Sequence, residues 1–109
     1  MTKIKFTTRA VKDLKNLKKK YRKIEEDIEW LLNELNEGKI GDRLQEFQDL
    51  EIYKKRIQNS STKIGKSGGF RVIIYVKRVI DTFVILTIYS KNDKTNISKK
   101  EILEIMRLS

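Results

Sequence analysis

The sequence predicts a compact α+β fold in the order β-α-α-β-β-β-α, with a mainly antiparallel sheet, an N-terminal helical hairpin and a short C-terminal helix. Three observations predict it. Apolar residues recur every three or four positions between 10 and 35; residues 52–57 alternate, and β-branched and aromatic residues dominate 70–76 and 83–89; and a capped helix start stands at 98. At 109 residues, one domain over 1–109 is expected, large enough to bury about two thirds of its unfolded surface in a single core.

Residues 3–6, Lys-Ile-Lys-Phe, alternate polar and apolar and predict a first strand. Thr7 or Thr8 caps the helix that follows. Ala10, Val11, Leu14, Leu17 and Tyr21 form its apolar stripe, with Lys12, Lys15, Lys18, Lys19 and Lys20 toward water. The lysines at its end meet the negative end of the helix dipole. A second helix carries Ile24, Ile28, Leu31, Leu32 and Leu35, opens with Glu25, Glu26, Asp27 and Glu29, and stops at Gly38. Acidic residues crowd that first turn for helix-dipole reasons, which is the structural reading preferred here over a metal or acid site. The two helices are expected to pair as an antiparallel hairpin.

Residues 38–50 read as a loop, pinned to the core by Leu44, Phe47 and Leu50. In the alternating segment 52–57, Tyr53, Lys55 and Ile57 point one way and Ile52, Lys54 and Arg56 the other. Lys55 is thereby charged on a face where an apolar residue is expected. A polar, glycine-containing connection spans 58–69. Phe70 to Val76 and Phe83 to Tyr89 are apolar on both faces and flank a charged turn at Lys77, Arg78 and Asp81, the pattern of two central strands in a hairpin. Arg71 interrupts the first, on the side of Ile73 and Tyr75 and opposite Phe70, Val72 and Ile74. Ser98 with Glu101 then makes a capping box, and Ile97 with Ile102 a hydrophobic staple, for a helix to about Leu108.

The chain has no cysteine and no histidine, which excludes disulfides and leaves no ordinary zinc ligands or Ser-His triad. No metal site and no cofactor are expected. With no apolar run long enough to span a bilayer and no apolar signal region, a cytoplasmic, membrane-free protein is expected. The net charge of +10 is uneven: residues 1–50 carry 12 Lys/Arg against 10 Asp/Glu, and residues 51–109 carry 13 against 5. A positive half attracts polyanions.

Gly65-Lys66-Ser67 invites comparison with a P-loop, but position 60, where the first glycine should stand, is Ser60, and the segment leads into a strand. Gly68-Gly69 instead suits close approach of backbone to backbone or to phosphate. A more informative feature is the convergence of Lys54, Arg56 and Arg71 on one face, bordered by Lys63, Lys66, Lys91 and Lys94. Arginine grips phosphate bidentately and stabilises a phosphoryl transition state. A lysine crowded by cations has a depressed pKa and can serve as a general base. Phe70, Tyr75 and Tyr89 offer rings on which a base could stack.

Tyr53-Lys54-Lys55-Arg56, Gly65-Lys66-Ser67-Gly68-Gly69-Phe70-Arg71-Val72-Ile73-Ile74-Tyr75 and Leu86-Thr87-Ile88-Tyr89-Ser90-Lys91-Asn92, in this order and spacing, resemble the RelE/ParE toxin superfamily, most closely its RelE- and HigB-like branch. The resemblance implies a type II toxin that cuts mRNA in the ribosomal A site, the 2′-hydroxyl attacking the adjacent phosphate without a metal. It assigns Lys54 as general base and Arg56 and Arg71 as phosphate and transition-state ligands. Where RelE proper has an arginine and then a tyrosine, this chain has Asn92 and Ser98, with Lys91 and Lys94 nearby as substitutes. Lys91 is taken as catalytic, and Lys63, Lys66, Tyr89 and Lys94 as contacts to RNA or ribosome. The partners implied are an acidic antitoxin, the ribosome with its mRNA, and operator DNA only through the antitoxin complex. A ParE-like gyrase inhibitor and a non-catalytic RNA-binding module are the alternatives.

Overall fold

In the computed structural model, which describes residues 2–62 and 69–109, the elements run β1 (Lys3–Phe6), α1 (Thr8–Lys20), α2 (Ile24–Asn36), β2 (Asp42–Arg43), β3 (Ile52–Ile57), β4 (Phe70–Lys77), β5 (Thr82–Ser90) and α3 (Lys99–Arg107). The strands form one sheet in the order β1-β5-β4-β3-β2, antiparallel except where β1 runs parallel to β5. The predicted fold class and element order hold, with one addition. Residues 38–50 contain β2, so this stretch is more than a loop. Two residues are too few to show alternation, and their strand character comes from pairing Asp42 with Lys54 and Arg43 with Tyr53 on the outer edge of β3. Gly41 makes that pairing possible. Its φ is +97°, and a Cβ there would lie 2.5 Å from Lys54 O.

The sheet is covered on both sides. Tyr21, Ile24, Leu31 and Leu35 of the helical hairpin pack with Ala10 on Ile57, Phe70, Val72, Ile74, Val76 and Ile85. On the other face, α3 brings Ile102 and Ile105 onto Ile52, Ile73, Leu86 and Tyr89, and Phe47 and Ile97 close the same cluster. Residues 44, 47 and 50 do anchor their segment, with Leu44 and Leu50 packed beside Phe47. Val11, expected in the stripe of α1, is 43% exposed.

The helix caps follow the local rules. Thr7 Oγ1 accepts from Ala10 N and donates to Leu86 O at 2.7 Å, so one threonine both starts α1 and ties it to β5. Beyond the end of β1, Asp13 continues to cover that edge, accepting from Ile88 N and Thr87 Oγ1. At α3, Ser98 Oγ accepts from Glu101 N, and Glu101 receives the Ser98 backbone N–H in return.

Two charged residues have partners that local pattern does not reveal. Lys55 lies inward as its alternation requires, and its Nζ meets Glu34 of α2 at 3.0 Å and the Trp30 ring at 5.9 Å. Asp27 stands in the first turn of α2 but is only 4% exposed, and it accepts from the backbone N and the hydroxyl of Ser60. The acidic turn is structural, as expected, and one of its members also anchors the chain leaving β3.

Gly69 supports the close-approach reading. A Cβ there would fall 2.1 Å from Ile57 O and 3.2 Å from Asn59 N. Gly69→Ala is therefore expected to force β3 and β4 apart where they meet and to cost about 3 kcal/mol in a denaturant melt, the upper range for overpacking. A variant with unchanged stability would show that the strands part there freely.

Candidate functional site

Strand pairing builds a cationic row. Arg56 stands directly opposite Arg71, and Arg71 directly opposite Tyr89, so the three side chains share the face covered elsewhere by α3. Lys54 lies two residues before Arg56 on the same face. Like charges directly opposite on a sheet are destabilising, so an Arg56–Arg71 pair is kept against stability and suits an anion that would relieve it.

Arg71 is 2% exposed, and its Nη1 donates to its neighbour's carbonyl, Phe70 O, at 3.2 Å. Burial, and then the charge of Arg56, disfavour its charged form, although a guanidinium stays protonated. Burial also lowers the pKa of Lys54, helped by Arg71, Arg56 and Lys91 and opposed by Glu46. Its Nζ donates to Asn96 Oδ1 at 3.1 Å. A partly desolvated lysine ringed by cations is the arrangement that brings an amine toward general-base chemistry.

The other predicted residues are placed as follows. Lys91 follows β5, its backbone N bonded to Gly69 O at 3.0 Å and its charge felt at Lys54. Lys94 pairs with Glu101 at 2.5 Å and lies 6.0 Å from the centre of the Tyr89 ring, so its charge is already matched. Tyr89 is 8% exposed, and its hydroxyl, which burial holds in the protonated form, has no hydrogen-bond partner among the described residues. Lys63 and Lys66 lie outside the described residues.

Phe70 is a correction. It is fully buried on the helical face, edge-on to Tyr21 with centroids 5.3 Å apart, and offers no surface to a base. Tyr75 shares the face of Arg71 but lies four residues along β4, roughly 13 Å away at ~3.3 Å per residue, with Lys77 above its ring. The row therefore holds Lys54, Arg56, Arg71 and Tyr89, with Lys91 beside it.

Sequence reasoning missed Asn96 and Glu46, which flank Lys54 from segments 42 and 8 residues distant in number. Neither belongs to a regular element, so no periodicity marks them. Among the described residues no group of acidic side chains could hold a metal ion, and no helix is long and apolar enough to cross a membrane.

A family model described as the RelE toxin of the RelE/RelB toxin–antitoxin system matches residues 11–109. The chain belongs to the RelE toxin family. The match takes in every member of the cationic row and leaves out only β1 and the first turn of α1. Among curated proteins, none matches this RelE-family chain significantly. As a toxin of a toxin–antitoxin system, it has a cognate antitoxin as its partner.

Proposed function

We propose that this toxin is an endoribonuclease that cuts mRNA in the ribosomal A site. The observation that carries the proposal is the meeting of Lys54, Arg56 and Arg71 on one sheet face, with burial and like charge lowering the pKa of Lys54. In its neutral form Lys54 takes the proton of a 2′-hydroxyl. The 2′-oxygen bonds to the adjacent phosphorus, and the bond from phosphorus to the 5′-oxygen breaks. The products are a 2′,3′-cyclic phosphate and a 5′-hydroxyl, whose proton comes from solvent. Arg56 and Arg71 hold the non-bridging oxygens, where negative charge grows in the transition state. Lys91 adds positive charge on the side of the leaving oxygen. The scheme is balanced without a metal or cofactor. Tyr89 borders the row as an RNA contact, and Lys63, Lys66 and Lys94 are its outer basic border.

The same positive face attracts an acidic antitoxin, which would neutralise it, and operator DNA would be reached only through that complex. The test is to map mRNA 5′ ends after brief induction of the native chain and of Arg71→Ala. New ends clustered inside translated codons are expected for the native chain, and roughly 10²–10³-fold fewer for the variant, the loss typical of removing one transition-state ligand. DNA-damage signalling with intact transcripts would replace this reading with a gyrase inhibitor. Salt-sensitive ribosome binding without any cut would replace it with a non-catalytic module.

A further inference from the structure

Beside Lys54 the structure has a cleft of about 370 Å³ between the segment after β2 and the start of α3. That volume lies within the ~300–1,000 Å³ of ordinary ligand sites. Leu44 and Ile97 give it apolar walls, and Lys54 stands in its lining, so the cleft opens directly onto the cationic row. Its two sides are held together across the gap, since Lys99 Nζ donates to Glu46 O at 2.8 Å. The polar groups it presents are specific. Asn96 Oδ1 is occupied by Ile97 N at 2.9 Å and by Lys54 Nζ, which fixes the orientation of the exposed amide and leaves its Nδ2 to donate to a ligand. Glu46 has no ion pair at contact distance among the described residues, and its carboxylate can only accept hydrogen bonds.

We infer that this cleft holds the base next to the cleaved phosphate, and that Glu46 selects bases that present an exocyclic amino group over uracil. The inference rests on the proposed cleavage of RNA. A single-stranded base is read on its polar edges while its faces lie on apolar walls, and Leu44, Ile97 and the Asn96 and Glu46 side chains supply both. Adenine, cytosine and guanine each offer an N–H₂ to a carboxylate. Uracil offers that carboxylate only its N3–H, flanked on both sides by carbonyl oxygens whose partial charge repels it, and so would be held less well. Phosphate contacts in the cationic row place the strand but carry no sequence information, so a base contact here is where preference would arise.

The experiment compares the native chain with Glu46→Gln and Glu46→Ala, each induced briefly in cells, with mRNA 5′ ends mapped and the bases on both sides of each cut counted against codons occupied by ribosomes. A glutamine can donate to a uracil carbonyl, so Glu46→Gln is expected to narrow the discrimination against uracil at one of the two positions by roughly fivefold to hundredfold, as for loss of one base-edge contact. Glu46→Ala should narrow it less. Glu46 also raises the pKa of Lys54, but that influence changes the rate at all codons alike and leaves the ratio between bases untouched. Thermal melting of both variants, expected at the native temperature because Glu46 is exposed, separates misfolding from altered preference. Native cuts with the same base ratios in all three proteins would overturn the inference and leave the nuclease standing. No cuts from the native chain would overturn both.

Discussion

Lys54→Met is expected to slow cleavage by roughly 10²–10⁴-fold, the contribution of a positioned proton acceptor. The pH profile tells this role apart from a purely structural one. In the proposed mechanism the neutral amine is the active form, so the native rate should rise with pH through the pKa of Lys54, at lower pH than for an ordinary lysine because burial and the charges of Arg71, Arg56 and Lys91 disfavour the ammonium. Arg56→Gln removes one of those charges, so the pKa rises and the ascending limb moves to higher pH. The variant also loses a proposed phosphate ligand, so its maximum should fall, but the position of the limb reports only on the proton acceptor. Measured on ribosomes programmed with a short message, a limb that stays in place in Arg56→Gln would assign the proton transfer to another group. Folding adds a second reading. Because the folded state disfavours the charged amine, Lys54→Met should melt no lower than the native chain while losing activity.

Glu34→Ala is expected to lower stability by roughly 2–4 kcal/mol, in the range for leaving one partner of a buried ion pair unmatched. Lys55 is 8% exposed and Glu34 16%, so little solvent screens them. Without the carboxylate, the Lys55 ammonium would remain in the core beside the Trp30 ring. Lys55→Met should cost less, since Glu34 keeps Lys39 at 3.4 Å. The double variant Lys55→Met with Glu34→Leu should approach native stability, because apolar groups of similar size replace both charges.

The pair also has a pH signature. The hydrogen bond from Lys55 is the main reason the Glu34 carboxyl stays below the usual carboxylate range; desolvation opposes it and Lys39 adds to it. A carboxyl with a folded pKa below its unfolded one stabilises the fold at pH above the unfolded value. That stability is lost as pH falls through the folded value. Melting temperature followed from neutral to acid pH should drop more steeply for the native chain than for Glu34→Gln. Equal slopes would mean that the pair contributes nothing to the acid limb.

What could be read from the sequence divides by distance along the chain. The caps at Thr7 and Ser98, the staple of Ile97 with Ile102 and the faces of β3 and β4 depend on neighbours within a few residues, and all appear in the structure. Period-two alternation put Lys54, Arg56 and Arg71 on one face, and the pairing of β3 with β4 brings them together. The same alternation set Phe70 opposite Arg71, which already conflicted with a role for its ring beside the cations. Other features depend on the tertiary fold. Lys55 finds Glu34 from another element, Lys54 finds Asn96 from a segment beyond β5, and β2 exists only because β3 offers an unpaired edge. No local pattern encodes those meetings.

β1 lies beside β5, with Lys3 opposite Thr82, so residues 7–81 stand between two adjacent strands. Closing so long a loop is entropically slow, and it must precede the contacts that reward it. β5 also contributes Tyr89 and leads into Lys91, which complete the cationic row. During synthesis β1 and the helical hairpin emerge before the strands that carry the row. A nascent chain stopped before residue 82 would carry Arg56 and Arg71 but neither Tyr89 nor Lys91, so the cationic row is completed only once β5 has been made.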